Sequence, residues 1–216
     1  DTVRTAAGAD AFSTGFCGGL FNTNAAPGGC RKDDDTDVEI SLRGGYDWQI
    51  GSWVVGGVVE YSWLELQDSV TAFSTTPAAY NFTRKLDSVL AVRARGGYAM
   101  GDSLLYVTGG YARGNMKHSF RTTNTVNAFP ADGGGDANGY QLGFGYERKL
   151  TPNWTLGLEY LRTSLKDDDY GVRASNSGTT AATNPFLLVN TAGTGFLRTD
   201  DDFEFNSFRV TASYRF

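Results

Sequence analysis

Charged side chains recur at alternate positions in several stretches of this sequence, where the intervening positions are apolar. Alternate side chains of an extended strand share one face, so each stretch predicts a charged face opposite an apolar one. The charged faces carry carboxylates and guanidinium groups together: Glu39, Arg43, Asp47, Glu60, Arg93, Arg95, Glu147, Glu159, Arg209 and Arg215. Enclosed charges must be paired, because an unpaired buried charge is costly. We therefore predict an interlocked salt-bridge network; the alternatives are a narrow or gated ion pathway and a catalytic site.

The strands that would carry these residues follow a strict period of two. One face of the C-terminal stretch 207–216 is wholly apolar: Phe208, Val210, Ala212, Tyr214 and Phe216. Six further stretches alternate in the same way: 38–50, 53–66, 84–100, 103–118, 138–150 and 153–166. In 84–100 the apolar face is predicted to include Leu86 and Leu90. An apolar side towards lipid and a polar side towards a lumen is typical of a transmembrane β-barrel strand.

The connections between these stretches alternate in length. Gly51-Ser52, Gly101-Asp102 and Thr151-Pro152 are two-residue links of the kind that closes a hairpin. The other links, roughly 67–83, 119–137 and 167–202, are long and rich in Thr, Ser, Asn, Gly, Ala and Asp. Short turns at one end and long loops at the other is the outer-membrane arrangement, with the long loops outside.

Aromatic residues lie near both ends of the predicted strands. Four lie beside the short turns and four towards the long loops: Trp48, Trp53, Tyr98 and Trp154; Tyr61, Trp63, Tyr111 and Tyr160. Two belts of amphipathic rings around an apolar band are expected at the two lipid boundaries.

Composition supports this interpretation and excludes others. The chain has 216 residues, with 28 glycines, 5 prolines and 13% aromatic residues, which suits curved strands. No stretch of about 18 apolar residues is present, which excludes a transmembrane helix but leaves a barrel open. A net charge of −5 argues against nucleic-acid binding through phosphates.

Seven strands are evident, whereas single-chain bacterial barrels have an even number of strands and leave no edge in lipid. The eighth strand is predicted to be either Ala11–Phe21, which is short and rich in glycine, or a segment upstream of Asp1. Residues 1–36 would then form the first long loop of a single barrel domain, 1–216. A strand supplied by another chain is the third alternative. No signal peptide is visible, so we expect a processed or trimmed chain.

At this point the chain resembles the small eight-stranded outer-membrane barrels of proteobacteria. These include the opacity-protein-like surface antigens and the transmembrane domain of the major outer-membrane protein A. The resemblance covers 37–216 outside the loops and rests on five motifs: Leu42-Arg-Gly-Gly-Tyr46, Tyr106-Val-Thr-Gly-Gly-Tyr111, Tyr140-Gln-Leu-Gly-Phe-Gly-Tyr146, Trp154-Thr-Leu-Gly-Leu-Glu-Tyr160 and Tyr214-Arg-Phe216. It implies a structural surface antigen, in some cases an adhesin or ligand-binding protein. It also implies that Tyr214 and Phe216 form the signal read by the barrel assembly machinery.

Cys17 and Cys30 lie among Gly, Asn and Pro, which favours a disulfide in a surface loop of an exported protein. The alternative is two free thiols, because two cysteines and one distant histidine are too few for a metal site. Three aspartate triplets at the long-loop end are weak metal candidates: Asp33, Asp34, Asp35; Asp167, Asp168, Asp169; Asp200, Asp201, Asp202. Their oxygens could hold loosely bound Ca²⁺ or Mg²⁺, bridging to lipopolysaccharide phosphate, or they form a solvated acidic rim.

No catalytic residue, resident cofactor or metal is predicted. A hydrolase needs a nucleophile and a base, and the single histidine, His118, has no evident Ser or Asp partner; we predict a solvated rim residue. The apolar run Asn184–Val189 predicts either a contact with a partner protein or packing within its own loop.

Together these features predict an all-β protein, an eight-stranded antiparallel up-and-down transmembrane barrel in the bacterial outer membrane. Its long loops would be extracellular and its C-terminus periplasmic. We predict a non-enzymatic structural barrel whose loops form an antigenic or binding face and whose partners are outer-membrane lipid and lipopolysaccharide. The alternatives are a narrow ion-conducting pore and a receptor or adhesin that binds through 119–137 and 167–202.

Overall fold

Seven long strands form one antiparallel sheet, in the order in which they follow along the chain. The computed structural model describes residues 1–5, 12, 14–23, 30–32, 37–167 and 170–216. The seven strands are β5 (Ile40–Ile50), β6 (Trp53–Ser74), β7 (Ala78–Met100), β8 (Ser103–Thr122), β11 (Ala137–Lys149), β12 (Trp154–Lys166) and β15 (Asp202–Tyr214). Each pairs with its neighbours in sequence, β5 with β6 and so on to β12 with β15. The predicted up-and-down antiparallel topology is confirmed.

Tight turns at one end fix the register of two hairpins, whereas the third link spans 150–153 and is longer than the predicted Thr151-Pro152. Ile50 pairs with Trp53 and Met100 with Ser103 across two-residue links. Gly51 and Gly101 both have φ of 61°, the left-handed region that a residue with a Cβ rarely adopts. We call this the short-turn end. The C-terminus lies here too, since the Arg215 N–H donates to the Asn153 carbonyl over 2.7 Å.

At the other end three strands continue well beyond the length that a membrane crossing requires. β6, β7 and β8 have 22, 23 and 20 residues, whereas about 10 suffice to span a bilayer. The predicted long loop 67–83 is therefore wrong, because most of it continues β6 and β7 and only Thr75–Pro77 turns. The alternation of apolar and polar residues could not reveal this extension of β6 and β7, because its residues are buried on both faces of the sheet.

Short strands pack around this extension and form, with it, what we call the head. They are β1 (Val3–Thr5), β2 (Phe16–Gly18), β3 (Leu20–Phe21), β4 (Cys30–Arg31), β9 (Asn127–Ala128), β10 (Ala131–Asp132), β13 (Gly171–Asn176) and β14 (Thr194–Arg198). One sheet has the order β1-β14-β13-β10, with β9 beside β13, and β2 pairs with the extension of β6. Parts of the predicted loops 119–137 and 167–202 are thus strands.

The N-terminal segment does not supply a barrel-spanning strand in the described residues. Phe16–Gly18 pairs with 70–72, above the membrane part of β6, and Leu20–Phe21 pairs with Cys30–Arg31. Ala11 and Ser13 lie outside the described residues; the described strands of the first candidate, Ala11–Phe21, belong to the head or are too short to span a membrane. A disulfide joins Cys17 to Cys30, as the sequence favoured, and ties this segment together.

Among the described residues the core has two large apolar clusters, one above the other, and a small third cluster of Val54, Leu104 and Tyr106 near the short-turn end. The head cluster is built on the aromatic rings of Tyr80, Phe12, Phe186 and Phe196. The centroids of these four rings lie within 6.4 Å of one another. The second cluster, which we call the plug, lies inside the barrel beneath it: Leu64, Leu86, Val89, Ala91, Ala112, Met116, Ala137, Leu165 and Phe203.

A β-bulge in β7 changes which residues face inwards. Leu86 pairs with Met116 of β8 and Ser88 with Asn115, so Asp87 is an extra residue in β7. Below the bulge the odd-numbered residues Val89 and Arg93 are buried; above it, even-numbered Leu86 is. The prediction that Leu86 shares an outward face with Leu90 is therefore wrong, since the bulge moves it into the plug.

The outward face below the head is apolar and exposed. Ile40, Trp53, Leu158 and Val210 expose between 61% and 73% of their surface, and Trp53 lies edge-on to Tyr98 at 5.3 Å. Exposed apolar area on this scale is expected where lipid, not water, is the solvent. No helix in the part of the chain that the structure describes is long and apolar enough to cross a membrane.

The first and last long strands face each other across a gap that we call the seam. No described residue pairs with the outer edge of β5 or of β15. Side chains alone cross the gap: Arg43 Nη2 donates to Ser213 Oγ over 2.9 Å, and Arg209 Nε to Glu39 Oε2 over 3.0 Å. Around the Arg209–Glu39 contact the seam widens into a cleft of about 730 Å³.

Candidate functional site

Carboxylates and guanidinium groups fill the barrel below the plug, and Glu147 is the centre of its lower half. Arg95 Nη1 donates to Glu147 Oε1 over 3.0 Å and Arg215 Nη2 to Oε2 over 3.1 Å. Arg43 Nη2 donates to the same carboxylate over 3.3 Å, although only 3% of the Glu147 side chain is exposed. Asp47 adds a second carboxylate, 3.3 Å from Arg95 Nε.

The upper half is centred on Arg93, whose side chain is fully buried. Its Nη2 lies 3.2 Å from Glu60 Oε2 and 3.6 Å from Glu159 Oε2, and its Nη1 donates to Gln141 Oε1 over 2.8 Å. Arg209 also pairs with Glu60. Arg43 Nη1 lies 3.8 Å from Glu159 Oε1, which connects the two halves.

All ten charged residues singled out in the sequence thus lie in one connected network, which we call the lumen network. Five arginines face five carboxylates: Arg43, Arg93, Arg95, Arg209 and Arg215; Glu39, Asp47, Glu60, Glu147 and Glu159. The set is balanced in formal charge. Buried ion pairs persist only with such mutual compensation.

Neutral residues that the sequence did not single out complete this network. The Tyr106 hydroxyl donates to Glu159 Oε1 over 2.9 Å, while Arg95 lies over the Tyr106 ring at 4.4 Å. Gln141 Nε2 donates to Thr163 Oγ1 over 2.9 Å. Gly145 provides the space for the tyrosine, because a Cβ there would meet the Tyr106 ring and hydroxyl. The only sequence signal for this packing was a glycine at an alternate position of a strand, opposite a large inward residue.

β7 passes through four layers from the head to the short-turn end. Its inward side chains belong in turn to the head cluster (Tyr80, Phe82), a polar layer (Arg84), the plug (Leu86, Val89, Ala91) and the lumen network (Arg93, Arg95). A layer of packed apolar side chains offers no polar partners to water or ions. The plug therefore separates the lumen network from the head.

The polar layer, which we call the collar, joins the head to the barrel: Asp1, Asp68, Arg84, His118, Asp167 and Arg198. Arg84 is its centre, with 3% of its side chain exposed. It donates from Nε to Asp68 Oδ2 over 3.0 Å and from Nη2 to the Asp202 carbonyl over 2.8 Å. Arg198 Nη2 also donates to Asp68 Oδ2, over 2.5 Å, and pairs with Asp1.

The single histidine is part of the collar, and the predicted solvated rim residue is wrong. His118 Nε2 lies 2.7 Å from Asp167 Oδ1, and each side chain is only 6% exposed. The ring stacks on Tyr170 with centroids 4.7 Å apart. β8 extends to Thr122 rather than ending near 118, so His118 occupies an inward position of a strand, where Asp167 supplies the partner that the sequence concealed.

Comparisons with known proteins agree with this architecture. A family model described as outer membrane protein beta-barrel domain matches residues 2–216. The chain belongs to this family. Outer-membrane β-barrel proteins have their lipid-facing apolar band and polar interior arranged as they are here.

Similar proteins include outer-membrane proteins of Brucella and Rhizobium. The 31 kDa outer-membrane immunogenic protein of Brucella melitensis is 31% identical over 189 residues, covering 76% of each chain, and that of Brucella suis gives the same values. The 22 kDa outer membrane protein of Rhizobium leguminosarum is 34% identical over 126 residues, covering 58% of this chain and 52% of the relative. No solved structure matches significantly.

Four of the nine aspartates in the three triplets of this outer-membrane barrel are described, Asp167, Asp200, Asp201 and Asp202. Asp33, Asp34, Asp35, Asp168 and Asp169 lie outside the described residues. Asp167 is already paired with His118 and Arg84. Carboxylate oxygens of Asp200, Asp201 and Asp202 come within 4.8 Å of one another, but Lys166 lies 3.9 Å from Asp201 and the Asp202 N–H donates to Asp200. A rim cation held by these residues stays a prediction.

The other predicted features are placed as follows. Phe186 and Leu187 of the apolar run 184–189 pack into the head, while Leu188 and Val189 are exposed by 66% and 97%. Tyr214 ends β15 with its ring 5.4 Å from that of Trp154, and Phe216 is fully exposed beyond it. Their role as an assembly signal stays a prediction.

The collar predicts that acid loosens the head. Asp68 lies above the apolar band; burial raises the pKa of its carboxyl, but Arg198 and Arg84 outweigh this and hold the pKa below its usual 3.8. A lowered carboxyl pKa stabilises the fold above pH 3.8, and the contribution is lost as pH falls through the folded-state value. We expect the stability difference between wild type and Asp68→Asn to be full at pH 6 and to shrink below pH 3.8.

Near-ultraviolet circular dichroism of thermal unfolding in detergent, from pH 6 to pH 2.5, measures that difference. A difference that stays constant across the range would contradict the role given to Asp68. Asp136→Asn is the matched control, because Asp136 pairs with Arg113 at an exposed position outside the collar.

Proposed function

We propose that this protein is a structural, non-enzymatic outer-membrane barrel that does not conduct ions and carries an ordered head. The observation that carries this proposal is the interior, where the plug lies directly above a charge-balanced lumen network. An interior of this width is filled by side chains. Ions would have to cross both layers, of which one is apolar and the other consists of side chains whose opposite charges already face each other.

The head supports a role in surface display. Long loops face outwards in outer-membrane barrels, which supports a head outside the cell and a short-turn end in the periplasm. Two relatives are named immunogenic proteins, which supports the same antigenic role here. Leu188 and Val189 at the head surface support contact with a partner through the exposed half of the apolar run.

Lipid is the established surrounding of the barrel, and finer partners follow from its position. The proposed extracellular boundary places Arg113, Arg162 and Lys166 outwards just above the apolar band, each beside a carboxylate. Lipopolysaccharide is the lipid that this boundary would meet. Assembly through Tyr214 and Phe216 by the barrel assembly machinery belongs to the same proposal.

Single-channel recording in planar bilayers tests the proposal. We expect no conductance steps above background from the refolded protein, because neither the plug nor the lumen network leaves a continuous water path. A general porin added to the same membrane afterwards provides the positive control. Discrete ion-selective steps from this protein would overturn the closed barrel and favour the narrow pore.

A further inference from the structure

The sheet β1-β14-β13-β10 of the head carries an open cleft on the face turned away from the head cluster. Val172 of β13 and Phe196 of β14 are buried in that cluster, so Gly171 and Leu197, which alternate with them, lie on the outward face. The cleft, which we call the head cleft, has a volume of about 730 Å³, within the usual range for small-ligand sites. None of the described residues that line it belongs to the lumen network or the collar.

Glycines leave the floor of the head cleft almost bare. Gly195 is opposite Arg173 across β13 and β14, and Gly171 is opposite Leu197. A glycine within a strand often marks a place where a ligand approaches the backbone closely. A Cβ at Gly171 would meet Leu197 Cδ2 at 2.9 Å, so the leucine side chain lies over this glycine and gives the floor an apolar surface.

A second pair of glycines forms one wall of the head cleft. Gly133 and Gly134 follow β10 with φ of 75° and 87°, in the left-handed region. Gly134 also packs against the collar, because a Cβ there would lie 2.9 Å from His118 Nδ1. The wall is therefore formed before any ligand arrives, which lowers the ordering cost of binding.

Two opposite charges share the outward face at the head cleft. Asp132 is opposite Gly171, and Arg173 follows Gly171 by two positions, so the two are diagonal neighbours about 7–8 Å apart. Arg173 is exposed, and no described carboxylate lies within 4.0 Å of its guanidinium, whereas Arg113 and Arg162 lower on the outer surface each have one. The Arg173 guanidinium is therefore available to an anion.

The floor strands argue against a peptide strand as the ligand. β13 lies between β14 and the β9–β10 side, and β14 lies between β13 and β1, so neither offers a free backbone edge. β10 has an edge without a described partner, but it is only two residues long. A peptide could not extend the sheet here by more than a residue or two, so recognition must come from the side chains and the bare floor.

A sugar acid matches what those side chains offer. The apolar C–H face of a sugar ring can pack on Leu197 and the glycine floor. A carboxylate takes two hydrogen bonds from a guanidinium such as that of Arg173. The Asp132 carboxylate accepts the Gly133 N–H at Oδ1 over 3.0 Å, which leaves Oδ2 for a sugar hydroxyl. A wholly apolar acid would need a more enclosed apolar site than this open one.

Height above the membrane separates a soluble ligand from a lipid headgroup. Phe208 is the uppermost outward apolar residue of β15 and is 85% exposed. Leu197 is eleven residues further up the chain, which places it roughly 25–30 Å above Phe208 for a strand tilted by about 40°. Lipid headgroups extend only about 6 Å beyond the hydrocarbon. The head cleft therefore opens to water above the headgroups.

We propose that the head cleft binds a soluble acidic saccharide, with a carboxylate on Arg173, a hydroxyl on Asp132 and a ring face on Leu197. The sequence left a receptor open without a site or a ligand class, and the head cleft supplies both. This inference goes beyond the proposed function, because a closed structural barrel would stand even if the head cleft bound nothing.

Isothermal titration of the refolded protein in a non-ionic detergent with trigalacturonic acid tests the proposal. We expect wild type to bind the trimer and Arg173→Ala to bind it about tenfold more weakly or worse, the loss of one charge-assisted pair. Gly195→Val should weaken binding similarly by filling the floor, since Gly195 has no left-handed φ and valine suits a strand. The methyl-esterified trimer keeps the rings without the charges and should bind wild type as weakly as the acid binds Arg173→Ala.

Arg121→Ala is the matched control. Arg121 is exposed near the top of β8 and, like Arg173, has no described carboxylate within 4.0 Å, but it does not line the head cleft. This variant should bind the trimer as wild type does. An equal loss of affinity in Arg121→Ala and Arg173→Ala would overturn the proposal, because net charge and not the head cleft would then attract the acid.

Three further outcomes would overturn the proposal. The first is absence of binding by wild type, and the second is equal affinity for the acid and its methyl ester. The third is displacement of the trimer by purified lipopolysaccharide that itself requires Arg173, which would assign the head cleft to the lipid of the membrane. Gel migration shows whether each variant has folded, and Gly195→Ala replaces Gly195→Val if the latter misfolds. The conductance test of the closed barrel is independent of all these results.

Discussion

Replacing Arg93 by alanine should destabilise the barrel by about 3–5 kcal/mol, the cost of leaving a buried ion pair without one partner. The substitution removes the guanidinium that lies between Glu60 and Glu159 and also leaves the side-chain oxygen Oε1 of Gln141 without this donor. All three groups are buried, so water cannot replace the lost partner without opening the lumen. Thermal unfolding in detergent, followed by gel migration, measures the effect.

Arg162→Ala provides the matched control. Arg162 pairs with Glu204 over 2.8 Å, but both side chains are on the outward face and about half exposed. Exposed pairs contribute little to stability, so this variant should unfold with the wild type. Equal destabilisation by the two substitutions would show that enclosure within the barrel is not what makes the lumen network important. Arg93→Met would then test whether volume alone suffices.

Replacing Arg84 by alanine should release the head while the barrel stays folded. The change leaves Asp167 without a guanidinium partner and Asp68 with that of Arg198 alone, and it removes donors from the Asp200 and Asp202 carbonyls. It also removes the guanidinium that lies 5.2 Å from the centre of the Phe203 ring. We expect a loss on the order of 3 kcal/mol. Limited proteolysis should then cut within 170–200 at least tenfold faster, with gel migration of the barrel unchanged.

Lys85→Ala is the control in the next position of the same strand. Lys85 points outwards and pairs with Glu65 at the surface, so its removal should leave the proteolysis rate unchanged. If Arg84→Ala also left that rate unchanged, the head would be held by its aromatic cluster alone. If it unfolded the barrel as well, the collar would belong to the barrel rather than join two separately stable parts.

Much of the barrel could be predicted because lipid imposes a simple rule on each strand. Below the head, one face meets hydrocarbon and the other meets charge, so residues such as Val210 and Arg209 reveal their sides directly. The turns at Gly51 and Gly101 were equally evident, since few residue types suit their backbone. Pairing within the lumen network followed from the cost of enclosed charge.

The head could not be predicted for the opposite physical reason. Asn81 and Thr71 are buried on one face of the extension while Phe82 and Val70 are buried on the other, so the alternation of side chains no longer separates an exposed face from a buried one. His118 and Asp167 are 49 positions apart, and nothing local marks them as partners. Such contacts depend on which loops fold over which strands.

The bulge at Asp87 reverses which face of β7 its even-numbered residues occupy. On the short-turn side of the bulge the even-numbered Leu90 and Val92 face out towards lipid, whereas on the head side the even-numbered Leu86 faces in. Deleting Asp87 would shift one part of β7 by one residue relative to the other. If the part below the bulge kept its contacts, each side chain between the bulge and the start of β7 would move to the opposite face of the sheet. Along this strand, length should therefore be under stricter selection than sequence.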